Sequence, residues 1–393
     1  MSNMEASNNP GNTEFRYDEL KLKILRNRVL DGLKKSGFSI VDNKTLIVPE
    51  EKEYFRKVHN NAVEYLREKK SNFILKNDGQ MLDKYIIDGK NLDINNIQPC
   101  LISIENREQG DVFNWTKLHW SIPISSGYGR RLRYLVYDRG NTALIGIIGL
   151  ADPVFGLKDR DGYIGWSSEV RKKRLKHVMD AFVLGAVPPY SLLLGGKLVG
   201  ALITSSRISN DFRQKYGGKP TRISNEIFDG KLAAITTASA LGKSSVYDRI
   251  KIKDGSQFIH VGWTNGSGEF QFINGVYQDL FELAHSKAEY LKNPKWGNGT
   301  RNRRTVIRTG LKMLNLSQNL IYHNVKRELF LVPLGTKSIE FLRGDTKQIK
   351  YYNKNTDNIA EFAIKRWIIP RSERRKDYVQ FRKESYSLLT KSQ

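Results

Sequence analysis

Over residues 18–35 the apolar positions Leu22, Leu25, Val29 and Leu33 recur at helical spacing, with Lys21, Lys23, Arg26, Arg28, Lys34 and Lys35 filling much of the remainder. That pattern predicts a basic amphipathic helix stopped at Gly37. Two short apolar segments, FSIV and TLIV, follow. Pro49 and the acidic turn EEKE then open a second helix with Phe55, Val58, Ala62, Tyr65 and Leu66 on one face. Strand signals begin near Ile102 and strengthen from Arg131, where RLRYLVYD and TALIGIIGLA, separated by Arg-Gly-Asn, predict an antiparallel hairpin. Residues 152–162 read as a turn-rich loop, 163–166 (YIGW) as a short strand, and 169–179 as a basic helix leading to a buried segment at 182–187.

After LLLGG, a helix is predicted over 197–216, with Leu198, Ala201, Leu202, Ile208 and Phe212 as its apolar face and Gly217-Gly218 as its stop. A strand over RISNEIF and a helix over 231–241, ended by Gly242, come next. The last third carries VGWTNGSGEFQFI, a helix over 276–292, the segment GNGTRNRRTVIRTG, and strands at 329–333 and 363–369. No repeat recurs at a fixed period. The pattern therefore predicts an α+β chain with a mixed sheet: a disordered leader at 1–16, a helical region at 17–100, a central α+β domain at 101–255, and a basic α+β region at 256–393.

Charge changes this picture most. Lys and Arg number 65 against 41 Asp and Glu, a formal charge of +24 spread along the 393 residues. A positive field of that kind recruits polyanions, with nucleic acid as the expected partner. A lysine-rich compositional style is the plain alternative. The lone Cys100 excludes an intramolecular disulfide and a cysteine-based metal site, pointing to a reducing compartment and the cytoplasm. No apolar run reaches the length that spans a bilayer, so no membrane association is expected.

Four clusters concentrate the charge. In SSGYGRRLRY, residues 125–134, two glycines let backbone N–H groups turn toward a ligand, and Arg130, Arg131 and Arg133 offer forked donors for phosphate. As a strand, this segment puts Arg131 and Arg133 on the face opposite Leu132 and Tyr134. The run RKKRLKH, 171–177, is either a phosphate-binding or a solvated helix face. Residues 295–308 join Trp296 to Arg301, Arg303, Arg304 and Arg308 without an acid, the pattern of stacking plus phosphate contact. Lys365, Arg366, Arg371, Arg374, Arg375 and Lys376 make a fourth cluster, diluted by Glu373 and Asp377.

Catalytic motifs largely fail. LGKSS at 241–245 resembles the end of a phosphate-binding loop, but Thr237 stands where its first glycine belongs. The six histidines lack metal-binding spacing. Glu226 and Asp229 are the weak candidates for a metal-dependent nuclease. No cofactor is implied.

Taken in order, GYGRRLRYLVYD, DRDGYIGWS, FRQKYGGKP, TRISNEIFD, LGKSS, VGWTNGSGEFQF and RNRRTVIRTGLKML resemble the DruA family, a component of the Druantia anti-phage defence system. The similarity runs from about Tyr17 to the C-terminus. It implies a role in antiviral defence beside other Druantia components, including the helicase-like DruE, and it supplies no catalytic residue. Members are also similar in their centre to the acetyltransferase (GNAT) fold. That resemblance implies a GNAT-like central domain with helical, basic flanks. Lys197, Gly200 and Leu202 stand at the three defining positions of that fold's pyrophosphate loop, and the first and last depart from its pattern. Three readings follow: a nucleic-acid-binding defence component (phage or host DNA), an enzyme (metal-dependent nuclease or degenerate GNAT-type acyltransferase), and an adaptor for acidic protein partners.

Overall fold

The structure, a computed structural model, describes residues 18–221, 225–252, 257–273, 275–287 and 300–389. The leader at 1–16 and Trp296 lie outside these. In chain order the elements are α1 (Glu19–Lys35), β1 (Ser39–Val41), β2 (Thr45–Ile47), α2 (Lys52–Glu68), α3 (Ser71–Tyr85), β3 (Pro99–Ser103), α4 (Arg107–Lys117), β4 (Arg131–Asp138) and β5 (Ala143–Ala151). There follow α5 (Lys158–Ile164), α6 (Ser168–Arg174), β6 (Val178–Ala186), α7 (Gly195–Leu202), α8 (Ser206–Tyr216), β7 (Ala234–Ala238), β8 (Ile259–Trp263), α9 (Val276–Lys287) and α10 (Thr300–Met313). The chain closes with β9 (Glu328–Pro333), β10 (Gly335–Thr336), α11 (Ser338–Arg343), β11 (Lys350–Tyr351), α12 (Thr356–Ala363) and α13 (Ile369–Arg374).

These elements form two compact units, one of residues 1–49 with 267–324 and one of residues 50–266 with 325–393. This partition crosses the sequence boundaries at 100 and 255. In the first unit, Asp18 caps α1 by accepting the Lys21 N–H at 2.7 Å, and Leu25, Val29 and Leu33 are buried as the stripe predicts. Arg26 donates to the carbonyls of Leu314 and Asn315 at 2.9 and 2.8 Å, satisfying acceptors just beyond the C-terminus of α10. FSIV and TLIV pair as the β1–β2 hairpin.

The second unit is built on a seven-stranded mixed sheet in the order β3-β4-β5-β6-β7-β9-β8. Every pairing is antiparallel except β6 with β7, whose parallel register spans only Val178–Ala234, Met179–Ile235 and Asp180–Thr236. A parallel pair needs a crossover, and α7 and α8 supply it. Their apolar faces (Leu198, Val199, Leu202, Ile208, Phe212) pack with Leu132, Tyr134, Ile148 and Met179. On another face, Ile74, Met81, Val112 and Trp115 of α3 and α4 cover Leu135, Leu144 and Ile147. Covered from both sides, β5 is buried at all nine positions, which explains its continuous rather than alternating hydrophobicity. Asp78 ties α3 to α4 and the chain end by accepting from Trp115 Nε1 (2.7 Å), Ser387 Oγ (2.6 Å) and the Leu388 N–H (3.1 Å).

Several sequence expectations are corrected. Residues 163–166 close a short helix, α5, that ends at left-handed Gly165, rather than forming a strand. Residues 231–241 hold strand β7, not a helix. Its Ile-Thr-Thr run suits a pleated surface, and burial beside β6 and β9 overrides the helical spacing of the alanines. The 197–216 helix is two helices, with Ser206 N–H turning to the Lys354 carbonyl at 2.7 Å at the break. The 169–179 helix ends at Arg174, and β6 begins at Val178. Residues 363–369 are helical, passing from α12 through a π turn at Ile364–Ile368 into α13. Of the RISNEIF strand, the described residues carry only an isolated bridge, Pro220 with Ile227.

Candidate nucleic-acid interface

The glycines of 125–134 turn the chain inward before they turn it toward any ligand. Gly129 sits at φ +66°, and a Cβ there would lie 2.1 Å from Asp152 Oδ2. This close approach lets the Arg130 N–H donate to Asp152 Oδ2 at 2.9 Å and its Nε to Oδ1 at 2.8 Å. The same guanidinium donates to the Lys176 carbonyl (2.8 Å) and lies 5.0 to 5.7 Å from the rings of Phe212, Tyr216 and Phe228. Arg130 is thus engaged in packing β4 against α8.

Arg131 and Arg133 behave differently. They share a face of β4 opposite buried Leu132 and Tyr134, as the strand period requires. Arg131 is exposed, and its backbone exchanges hydrogen bonds with Tyr216 Oη (N–H donating at 2.7 Å, C=O accepting at 2.8 Å). Lys215 Nζ also donates to the Arg131 carbonyl at 2.9 Å. Arg133 lies 5.7 Å and Lys117 5.8 Å from the ring of Phe113, so two cations share one aromatic.

The electrostatics carry a single sign. Burial, then the charges of Arg133, Arg131 and Lys70, pull the Lys117 ammonium down to about 8. Burial and Arg131 lower Arg133; burial, Arg133 and Lys219 lower Lys215. No carboxylate enters any of the three balances. Among the described residues, Lys117, Arg131 and Arg133 have no ion-pair partner. Cations held together without counterions repel one another, and an arriving phosphate relieves that repulsion.

Two of the other three sequence clusters are more fully occupied. In 171–177, Arg171 pairs with Asp161 (2.8 Å), Lys172 with Glu169 (3.1 Å) and Lys176 with Glu226 (3.2 Å), while Arg174 covers the Phe341 ring. The acid-free arginine run falls on α10, where Arg303 pairs with Glu269 (3.3 Å), Arg304 donates to the Ser267 carbonyl (3.1 Å) and Arg308 is exposed. Trp296 and the Arg301 side chain lie outside the described residues. Asp229 faces Lys231 at 3.1 Å and His177 at 3.6 Å. Among the described residues, no three His, Cys, Asp or Glu side chains gather as metal ligands. No helix among them is long and apolar enough to cross a membrane.

The sequence reading missed Lys117, Lys215 and Lys219. Lys117 stands alone in sequence and Lys215 and Lys219 lie in FRQKYGGKP; the packing of α4 and α8 around β4 brings Lys117 and Lys215 to Arg131 and Arg133, and Lys219 donates to the Lys215 carbonyl at 2.7 Å. The one signal was the period-2 placement of the two arginines, which marks the face but not what joins it.

Comparison with known proteins gives two matches. A family model described as Druantia protein DruA matches residues 49–344. A Druantia protein DruA from Escherichia coli (strain UMEA 4076-1) is 36% identical over 359 residues, spanning 90% of this chain and 88% of that protein. No solved structure matches.

Proposed function

The chain belongs to the Druantia protein DruA family, and from that premise we propose that it acts in a Druantia anti-phage defence system by binding nucleic acid through Lys117, Arg131, Arg133, Lys215 and Lys219. The observation that carries this reading is the cluster itself: Lys117, Arg131 and Arg133 stand together without an ion-pair partner among the described residues, and burial, then the neighbouring cations, lowers the proton affinity of Lys117, Arg133 and Lys215. Such a surface contacts phosphates and reads no base sequence. Exposed Arg308 on α10 is a further proposed phosphate contact. The proposed place of action is the cytoplasm, consistent with the lone Cys100, and the proposed protein partners are other Druantia components such as the helicase-like DruE.

A pH dependence follows. Lys117 is charged below about 8 and loses its proton above it, so its contribution to phosphate binding is present at pH 7 and falls away as the pH rises to 9. Binding near pH 8 takes up a proton. The wild-type dissociation constant for an oligonucleotide is expected to rise by up to about tenfold from pH 7 to 9, the worth of one charge-assisted hydrogen bond. Fluorescence anisotropy of Lys117→Gln over the same range should show a flatter profile. A variant as pH-dependent as wild type would remove Lys117 from the interface.

The enzyme readings draw less support. Glu226 and Asp229 are committed to Lys176 and Lys231. Strand β6, Gly-led α7 and parallel β7 follow one another as in a GNAT-like centre, and on that ground we propose that fold for the middle of the chain. Gly200 has a packing reason of its own: a Cβ there would lie 2.7 Å from Ile250 Cδ1. An adaptor role would be favoured by a pull-down of Druantia components that survives nuclease treatment.

A further inference from the structure

A second cationic site lies on residues that share nothing with the interface proposed above. Leu194, Lys197, Arg249, Lys251, Arg366, Trp367, Pro370 and Arg374 line a cavity of about 440 Å³, within the range of small-molecule sites, roughly 300 to 1,000 Å³. Three separate segments contribute: the start of α7, the stretch before β8, and the continuous π turn and α13. Five of the eight lining residues are cations, none an acid. Trp367 is buried as part of the wall, with Lys197 Nζ 5.5 Å from its ring centre, while Arg249, Lys251, Arg366 and Arg374 stand exposed around the opening. Among the described residues none of the five cations has an ion-pair partner. Asp248 is the one acid acting on Lys197, against burial, Arg249 and Arg366.

The backbone around the cavity is irregular where it matters. The π turn at Ile364–Ile368 inserts one extra residue per turn between α12 and α13, and it carries Arg366 and Trp367. Such turns are rare and recur at functional sites. Unlike the flat face of β4, this site is concave, and it concentrates five positive charges on a volume that suits one small polyanion. Two of its members, Arg366 and Arg374, come from the fourth sequence cluster. Lys197, Arg249 and Lys251 were not legible as a group.

We propose that this cavity binds the oligophosphate group of a small nucleotide-type ligand, with Lys197, Arg249, Lys251, Arg366 and Arg374 as the phosphate-contacting side chains. Forked guanidinium donors and ammonium point charges suit a chain of two or three phosphates better than a single one.

Calorimetry of the full chain at low ionic strength tests this, using sodium tripolyphosphate, ATP and orthophosphate as titrants. Tripolyphosphate and ATP are expected to bind with micromolar dissociation constants, and orthophosphate at least about tenfold more weakly. The pair Arg249→Glu with Arg374→Glu should weaken tripolyphosphate at least about tenfold, as should the milder Lys197→Gln with Arg366→Gln if charge reversal disturbs folding. Arg131→Glu with Arg133→Glu should leave it unchanged. No binding of either oligophosphate by wild type would overturn the proposal. So would binding lost only in the Arg131 and Arg133 variant, or cavity variants that lose oligonucleotide affinity while retaining tripolyphosphate.

Discussion

Replacing Arg131 and Arg133 together by glutamate is expected to weaken oligonucleotide binding by about a hundredfold or more at low ionic strength. Each arginine lost removes a charge-assisted contact worth about 1.5–3 kcal/mol, and each glutamate adds repulsion toward the same phosphates. The salt dependence should flatten too, the slope of log K against log salt falling by roughly one for each lost phosphate contact. Stability should change little, because Arg131 is exposed, Arg133 is half-buried beside Phe113, neither has an acidic partner among the described residues, and their removal relieves repulsion on Lys117 and Lys215. Anisotropy alongside thermal melting separates the two effects. Unchanged affinity in a fully folded variant would move the interface elsewhere. Arg130→Ala is expected to show the opposite behaviour, a lowered melting temperature with near-normal affinity per folded molecule, since its guanidinium is committed to Asp152 and the Lys176 carbonyl.

The largest stability effect is expected at Arg160. Its side chain is fully buried, donating to Asp161 Oδ1 (2.8 Å) and to the carbonyls of Val154 (2.9 Å) and Phe155 (3.0 Å), and it lies 5.4 Å from the ring of Trp166. Arg160→Ala leaves two carbonyls without this donor and opens a void beside the indole. Asp161 retains Arg171 and the Leu157 N–H, which limits the damage. Breaking one side of a buried pair costs about 3–5 kcal/mol, and denaturant unfolding should register that loss. Arg160→Lys should recover little, because a single ammonium cannot reach three acceptors set around a planar fork. A loss under about 1 kcal/mol for Arg160→Ala would show that the network is not needed to hold the segment after β5.

How much of this was legible follows the range of the forces involved. The α1 stripe, the β4–β5 hairpin and β9 rest on local periodicity, and the structure holds them where the sequence puts them. At β7 the Ala-rich 231–241 satisfies helical spacing, while the neighbours that make it a strand, β6 and β9, lie about 50 and 90 residues away in sequence. The 363–369 segment has the β-branched and aromatic content of a strand, yet α7 packs against the adjoining α12 and both join one core. At the interface, the shared face of Arg131 and Arg133 needed only the strand period. The partner of Arg130 sits 22 residues on, at Asp152, beyond any local pattern. Lys117 and Lys215 arrive from helices on either side in sequence, so only the fold reveals that the patch has no acid.

If the positive charge of this protein serves phosphate binding, wild-type anisotropy with a labelled single strand and a labelled duplex at two ionic strengths will register it. Binding is expected at low salt and should weaken steeply at the higher salt, with a log–log slope equivalent to several phosphate contacts. No measurable binding of either strand form at low salt, or binding indifferent to salt, would contradict it.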